Sequence, residues 1–336
     1  MLKLTLNPFA KTPKYKQIVE AVLEAIAQQQ LRSGDQLPSI SELSLEQELA
    51  RDTVEKAYRE LRERGFITSV QGKGYYVQAR GDAKLKILLL FNKLSSYKKT
   101  IYYAFLAAVG DQATTDLQIH HYSVQLFQEI IEKNLGKYDY YVVMPHFTLD
   151  TDKQLYLNAL AAIPPAQLVL LDKDLPELPL DCLRVYQDFD QDIFRALVQL
   201  QDLLRKYTRL QLLLPSDANH PEELAWGFRA YCQRYHQEFT IVENAAHVEP
   251  AVGTAYVVIR ETDLVELVKK IRRAGLALGQ QVGILSFNET SLKELLGMTV
   301  ITTDFEAMGR TAATLLLAGQ RAKVNNPFYS IRRGSL

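Results

Sequence analysis

ARDTVEKAYRELRERGFITSVQGKGYYV, residues 50–77, is the stretch that decides how the first part of this chain folds. Val54, Ala57, Tyr58 and Leu61 recur at i, i+3, i+4 and i+7, which puts one apolar face on a helix over about Arg51–Arg64. Gly65 follows, where a helix commonly ends in a left-handed residue. Phe66–Val70 and Tyr75–Val77 then read as two short β runs, and Gln71-Gly72-Lys73-Gly74 between them predicts a hairpin with a glycine-rich tip.

Upstream, Ile18, Val22, Ala25 and Ile26 share one face of a helix beginning near Tyr15, and Gly34-Asp35 forms a turn. Ser39-Ile40-Ser41-Glu42 has the spacing of a capping box, in which the serine oxygen accepts from the third helical amide and the glutamate reaches back. A short second helix is predicted there. Three helices followed by a β-hairpin make a winged helix-turn-helix, expected over residues 1–78.

Residues 79–84 read as a linker, and beyond them the texture changes. Lys86–Phe91, Tyr140–Met144, Leu168–Leu171, Leu210–Leu214, Ala255–Ile259 and Val282–Leu285 are short apolar runs separated by amphipathic helical stretches. Strands this uniformly apolar belong in parallel sheets covered on both faces. Residues 85–336 are too many for one such sheet, so more than one is expected. The fold class is multidomain: an α+β winged helix-turn-helix followed by a two-lobed α/β domain with parallel sheets.

Composition sets bounds. The 336 residues are 47% hydrophobic and 23% charged, ordinary values for a globular protein. A formal net charge of +0 argues against a protein that coats nucleic acid through a strong overall field. Cys182 and Cys232 form no CxxC pattern, so neither a disulfide framework nor a zinc module is expected. With no signal-peptide core at the start and no apolar run of bilayer length, the expected location is cytoplasmic. No GxSxG, HExxH or strand-borne GxGxxG motif is present, and neither catalysis, a cofactor nor a metal site is expected. His120-His121 read as a polar surface pair, His220 and His236 stand too far apart for a helical metal pair, and Trp226 and Phe228 read as core first, with stacking on a sugar ring as the alternative.

In the order and spacing of YKQIVEAVLEAI, GDQLPSISEL and residues 50–77, the chain resembles the GntR family of DNA-binding domains over Tyr15–Val77. The resemblance implies that the helix after the turn enters a major groove. Arg51, Asp52, Thr53 and Lys56 would meet base edges and phosphates there, and Ser39 would stand close by. Gln71, Gly72 and Lys73 would bring the wing to the backbone or minor groove. Ser41, Ala50 and Glu55 depart from the usual residues, which implies a different operator sequence. Partners implied are double-stranded DNA with a roughly palindromic operator, and a second copy of the chain.

Residues 85–336 resemble the sugar-responsive domain of LacI-type regulators, itself similar to periplasmic binding proteins. GQQVGILSFNETSLKELLGMTVITTDFEAMGRTAATLLLAGQ and the ending SIRRGSL carry the likeness. It implies lobe 1 over about 85–186 plus 304–318, lobe 2 over about 187–303 plus 319–336, and a small effector between them. Ligands of such sheets sit beyond the carboxyl ends of the strands. The expected effector residues are therefore Asn92, His146, Asp172, Lys173, Asp188, Arg260, Asn288 and Glu289. Asn288 stands where such sensors usually place an aspartate and Leu224 where they place an arginine. Together with Arg260 and Asp172-Lys173, those changes leave a charged sugar derivative open as the effector. Two rivals also stay open: a C-terminal domain serving only as a dimerisation platform, and a GntR-like protein fused to an enzyme.

Overall fold

The computed structural model describes residues 12–27, 30–78, 84–148, 150–215 and 221–336; residues 79–83 of the expected linker, and His220, lie outside them. The chain divides into two compact units, one ending at Leu85 and taking in Asp111–Thr114, the other holding the remainder.

In the first unit, α1 (Lys14–Ala27), β1 (Gln36–Leu37), α2 (Ile40–Glu46), α3 (Arg51–Glu63), β2 (Ile67–Val70) and β3 (Gly74–Val77) follow in order. The apolar face read from the sequence is the core. Val54, Ala57, Tyr58 and Leu61 are buried against Ile18, Val22 and Leu43. Tyr58 adds a polar tie, its hydroxyl donating to Pro38 O at 2.8 Å while its ring meets Tyr75 edge-on. The capping box is complete: Ser39 Oγ accepts from Glu42 N at 3.2 Å, and Ser39 N donates to Glu42 Oε2 at 2.7 Å. Gly65 takes φ 72°, the left-handed stop that its position called for. β1 adds an antiparallel third strand to the hairpin, a two-residue pairing too short to leave a pattern in the sequence.

In the second unit, lobe 1 begins with β4 (Leu85–Phe91), α4 (Ser96–Val109), β5 (Ala113–Ile119), α5 (Val124–Asn134), β6 (Tyr140–Val143), α6 (Lys153–Ala161), β7 (Leu168–Asp172) and β8 (Leu183–Tyr186). The chain then crosses to lobe 2. There it forms α7 (Phe189–Gln199), α8 (Gln201–Leu204), β9 (Arg209–Leu213), α9 (Glu223–Arg234), β10 (Glu238–Val242) and β11 (Thr254–Val258). Lobe 2 continues with α10 (Glu261–Arg273), β12 (Val282–Phe287), α11 (Ser291–Leu295) and β13 (Thr299–Thr303). A second crossing leads to α12 (Phe305–Leu317) and β14 (Lys323–Asn325), and a third to β15 (Phe328–Ile331).

Lobe 1 carries a six-stranded sheet in the order β14-β8-β7-β6-β4-β5, and lobe 2 one in the order β10-β9-β11-β12-β13-β15. Within lobe 2 only the β13–β15 pair is antiparallel. The central strands are buried on both faces, as their uninterrupted apolar runs required. The lobe boundary expected at 319 falls instead at Asn326-Pro327. Lys323–Asn325 add in parallel to β8 and therefore belong to lobe 1's sheet.

The three crossings are tied together by one residue, through its backbone amide and its side chain. Asn326, 1% exposed, sits in the third crossing. Its backbone amide donates to Tyr186 O of the first at 2.7 Å. Its Nδ2 donates to Thr303 Oγ1 at 2.7 Å and Asp304 O at 2.8 Å in the second. Removing this amide would strand buried acceptors, which costs about 1–3 kcal/mol. Asn326→Ala should accordingly lower the stability of this unit by about that amount in chemical denaturation. A loss under half a kcal/mol would show the clasp to be dispensable.

Candidate functional site

Two sets of residues were expected to carry function, one in each unit. In the first unit, α3 is preceded by Ala50, whose side chain caps nothing, and the Thr53 amide of its first turn donates to Ala50 O at 3.0 Å. Arg51 and Asp52 are exposed on that turn and Thr53 is half-buried. Lys56 is exposed, with its ammonium 4.1 Å from the centre of the Tyr15 ring. Ser39 spends its oxygen on the capping box and keeps only its O–H to donate. At the wing, Gln71, Gly72 and Lys73 are exposed, and Gly72 and Gly74 take positive φ. Lys73 O accepts from Gln36 Nε2 at 2.8 Å and Tyr76 Oη at 3.2 Å, so the tip is pinned by its backbone while the lysine ammonium reaches outward.

The second unit holds a cleft between its lobes, at the carboxyl ends of the strands. Asp172 closes β7 in a left-handed conformation, φ 75°, and its carboxylate is buried. A buried anion is tolerated only when paired and hydrogen-bonded. Lys98 Nζ lies 3.2 Å from Oδ2, His146 Nε2 2.9 Å from the same oxygen, and Gln187 Nε2 donates to Oδ1 at 2.6 Å. Lys98 also donates to Asn92 Oδ1. Burial works to raise the Asp172 pKa, but the ammonium and the two donors outweigh it and hold the carboxyl well below the usual range. For Lys98 burial wins, lowering its pKa against the pull of Asp172. Burial, helped by the Lys98 charge, pushes His146 down to about 4, so the imidazole is neutral at pH 7 and donates to Asp172.

The two walls differ in chemistry. Lobe 1 presents that polar cluster together with Tyr97 and Phe305, whose rings stack at 5.3 Å and 19°. The stack is possible because α12 presses on α4 at Gly309, where a Cβ would stand 2.3 Å from Ile101 O. Lobe 2 presents Phe189, Leu224, Ile259 and Phe287, with Asn288 as its polar contribution. Asn288 is also left-handed, φ 66°, and its Oδ1 is buried without a partner among the described residues. An orphaned acceptor in a cleft wall is a group prepared for a ligand donor.

Of the expected effector residues, Asn92, His146, Asp172 and Asn288 line this cleft, and so does the substituted position Leu224. Lys173 and Asp188 line a neighbouring hollow instead. Arg260 stands outside the lining, with Nε on Asp263 at 2.8 Å, where it holds the start of α10. Glu289 pairs with Arg333 at 2.7 Å and secures the C-terminal segment. Arg260 and Lys173 stand outside the cleft and Asp172 is paired with Lys98, while Lys93 lines the cleft with its ammonium 5.7 Å from the Tyr122 ring centre. Two other readings are corrected. His120 is fully buried, 3.2 Å from Met144 O and packed against Phe127 and Phe147, because the turn after β5 folds it inward. Trp226 is 55% exposed, while Phe228 is core.

Lys98, Gln187, Tyr97 and Phe305 escaped the sequence reading, which looked only at the residues directly after strands. For Lys98 a signal existed. With Ile101, Phe105 and Val109 it occupies the buried face of α4, an unusual place for a lysine without a partner.

These are the features of a two-domain chain: a winged helix-turn-helix module and a two-lobed α/β module with a cleft between its lobes. Residues 14–77 match the family described as bacterial regulatory proteins, gntR family, and residues 203–330 match the periplasmic binding protein-like domain. The chain thus joins a GntR-type winged helix domain to a periplasmic-binding-protein-like domain. It is 33% identical over 82 residues to the HTH-type transcriptional repressor YtrA of Bacillus subtilis, a match covering 24% of this chain and 63% of that protein. It is 42% identical over 66 residues to the mannosyl-D-glycerate transport/metabolism system repressor MngR of Escherichia coli, covering 20% and 28%. The chain therefore spans less than two thirds of each of these relatives. The trehalose repressor from Escherichia coli superposes with TM-score 0.60 and 17% identity over 74% of this chain and all of that one, a likeness of fold. Among the described residues no helix is long and apolar enough to cross a membrane.

The buried imidazoles make acid stability a test of this site. His120 and His146 both have pKa values held down to about 4 from 6.5, burial being the main cause. Above pH 6.5 both are neutral folded or unfolded, and the folded state carries no penalty. As pH falls from 6.5 toward 4 only the unfolded chain takes up the protons, so stability drops by up to about 1.4 kcal/mol per pH unit for each imidazole. Denaturant titrations at pH 7.5, 5.5 and 4.5 should show that decline, and His146→Gln should make it shallower. Equal slopes in the two proteins would place the His146 proton equilibrium elsewhere.

Proposed function

We propose that this chain is a sequence-specific, DNA-binding transcription regulator whose operator affinity is controlled by a small carbohydrate-type effector held between the lobes of its C-terminal domain. The observation that carries the reading is the pairing of a GntR-type helix-turn-helix with an interlobe cleft that has stacked aromatics on one side and carboxylate, imidazole and amide groups beside them. Aromatic faces pack on the apolar faces of sugar rings, and planar polar groups fix hydroxyls. The names of the trehalose and mannosyl-D-glycerate repressors support the carbohydrate class.

On this reading the protein works as a homodimer in the cytoplasm and performs no catalysis. Two recognition helices lie in successive major grooves, with half-sites about one helical turn, or a multiple of it, apart. Arg51 supplies the paired donors for a guanine edge or a phosphate, Thr53 and the open amides of α3 hold the backbone, and Lys73 anchors the wing. Effector binding draws the lobes together and biases the placement of the reading heads; a coupling of about 1–3 kcal/mol is sufficient.

A duplex selected from a random pool tests this by fluorescence anisotropy. Affinity should fall roughly a thousandfold or more between about 50 and 200 mM salt, and Arg51→Ala should weaken binding about ten- to a hundredfold. Unchanged binding by Arg51→Ala at physiological salt would overturn the assigned recognition helix.

A further inference from the structure

The cleft has an outer chamber whose residues the inner one does not use. Beside it, with Gln187 and Phe189 lining both, lies a hollow walled by Tyr186 and Lys173 of lobe 1 and by Asp190, Glu223 and Trp226 of lobe 2. Trp226 is the only tryptophan in the chain and is 55% exposed at this mouth. Its place is fixed from behind. The next residue, Gly227, lies so near α7 that a Cβ would stand 2.0 Å from Asp190 O, so the backbone of α9 that carries Trp226 is held close against α7.

Gln187 joins the chambers chemically. It is 8% exposed, its Nε2 is committed to Asp172, and its Oε1 is buried with no partner among the described residues. A buried carbonyl oxygen without a donor is costly unless something supplies one, and both spaces reach this residue. The charges of the mouth also select. Lys323 is taken up by Asp174 at 2.8 Å, with its ammonium 5.2 Å from the Tyr186 ring centre. Asp188, Asp190 and Glu223 form no ion pair among the described residues, and they outnumber Lys173. An anionic group would be repelled there, while hydroxyls would find acceptors on the carboxylates and a flat surface on the indole.

We infer that the mouth is a second sugar subsite, and that the effector is a neutral di- or oligosaccharide. Its inner ring lies against Tyr97, Phe305 and the Asp172 cluster, its linkage passes Gln187, and its second ring stacks on Trp226. This rests on the carbohydrate reading above and narrows it, excluding monosaccharides and sugar phosphates as full ligands. Because the second ring touches both lobes, it adds to closure rather than only to affinity.

A single tryptophan at the proposed contact makes the test direct. The full-length protein is titrated with glucose, galactose and mannose, with maltose, cellobiose, lactose, sucrose and trehalose, and with glucose 6-phosphate. Thermal stability and emission excited at 295 nm are both followed. The expected result is at least one disaccharide that stabilises the protein and shifts Trp226 emission, with its component monosaccharide binding more weakly and leaving the emission unchanged. Trp226→Ala should then weaken that disaccharide about three- to tenfold, the range for loss of an aromatic contact, while Trp226→Phe restores most of it. A disaccharide that stabilises the protein without any change at Trp226, a monosaccharide that binds as tightly as any disaccharide, or a phosphate ester that binds best, overturns the subsite but leaves the carbohydrate reading standing. Failure of every sugar to stabilise the protein overturns that reading and the subsite with it.

Discussion

The Asp172 carboxylate is the constraint around which the ligand-binding unit is arranged. A charge taken out of water must be met by donors at close range, and here those donors come from different parts of the chain: Lys98 from α4, His146 from the loop after β6, and Gln187 from the crossing after β8. Satisfying one anion therefore fixes the ends of several strands relative to one another. The same network continues into the hinge, since Gln187 follows Tyr186, whose carbonyl is held by Asn326. Charge burial in the cleft and the clasp of the three crossings are parts of one hydrogen-bonded structure.

That arrangement divides the work of the two lobes. Lobe 1 holds its polar groups in place before any ligand arrives, so little side-chain freedom remains to be lost on binding. Lobe 2 meets them with Phe189, Leu224, Ile259 and Phe287, which gain by being covered whatever the orientation of the ligand. On the proposed reading, orientation is set by lobe 1 and the drive to close comes from lobe 2. The substitution of Leu224 and Asn288 for charged residues follows the same division, because it moves charge off the lobe that closes. On the proposed reading the winged helix unit shows a parallel economy: its uncapped α3 N-terminus and exposed Arg51 would offer donors to phosphate in a chain with no net charge to help.

Much of this was legible in the sequence where the physics is local. The helix faces of the winged helix domain, its capping box and its Gly65 stop depend on neighbours three or four residues apart, so spacing alone revealed them. The buried parallel strands were equally visible, because a strand covered on both faces must be apolar throughout. Asn92, His146, Asp172 and Asn288 were found by a rule of topology, that ligands gather beyond the strand ends. Arg260 and Glu289 satisfied the same rule but are occupied by Asp263 and Arg333, partners whose proximity no spacing discloses.

What the sequence determined by itself, then, was the order of the elements, the two kinds of domain and the strand ends that border the cleft, since each rests on periodicity or on the solubility of short segments. Tertiary structure alone decided which polar residues face the cleft and which are spent on the scaffold. It placed Lys98 on Asp172 and Asn326 across three crossings. It left Gln187 and Asn288 each with an oxygen that has no partner among the described residues, and set Trp226 beside the cleft. These outcomes depend on distances between segments tens to hundreds of residues apart, which only the packing of the lobes establishes.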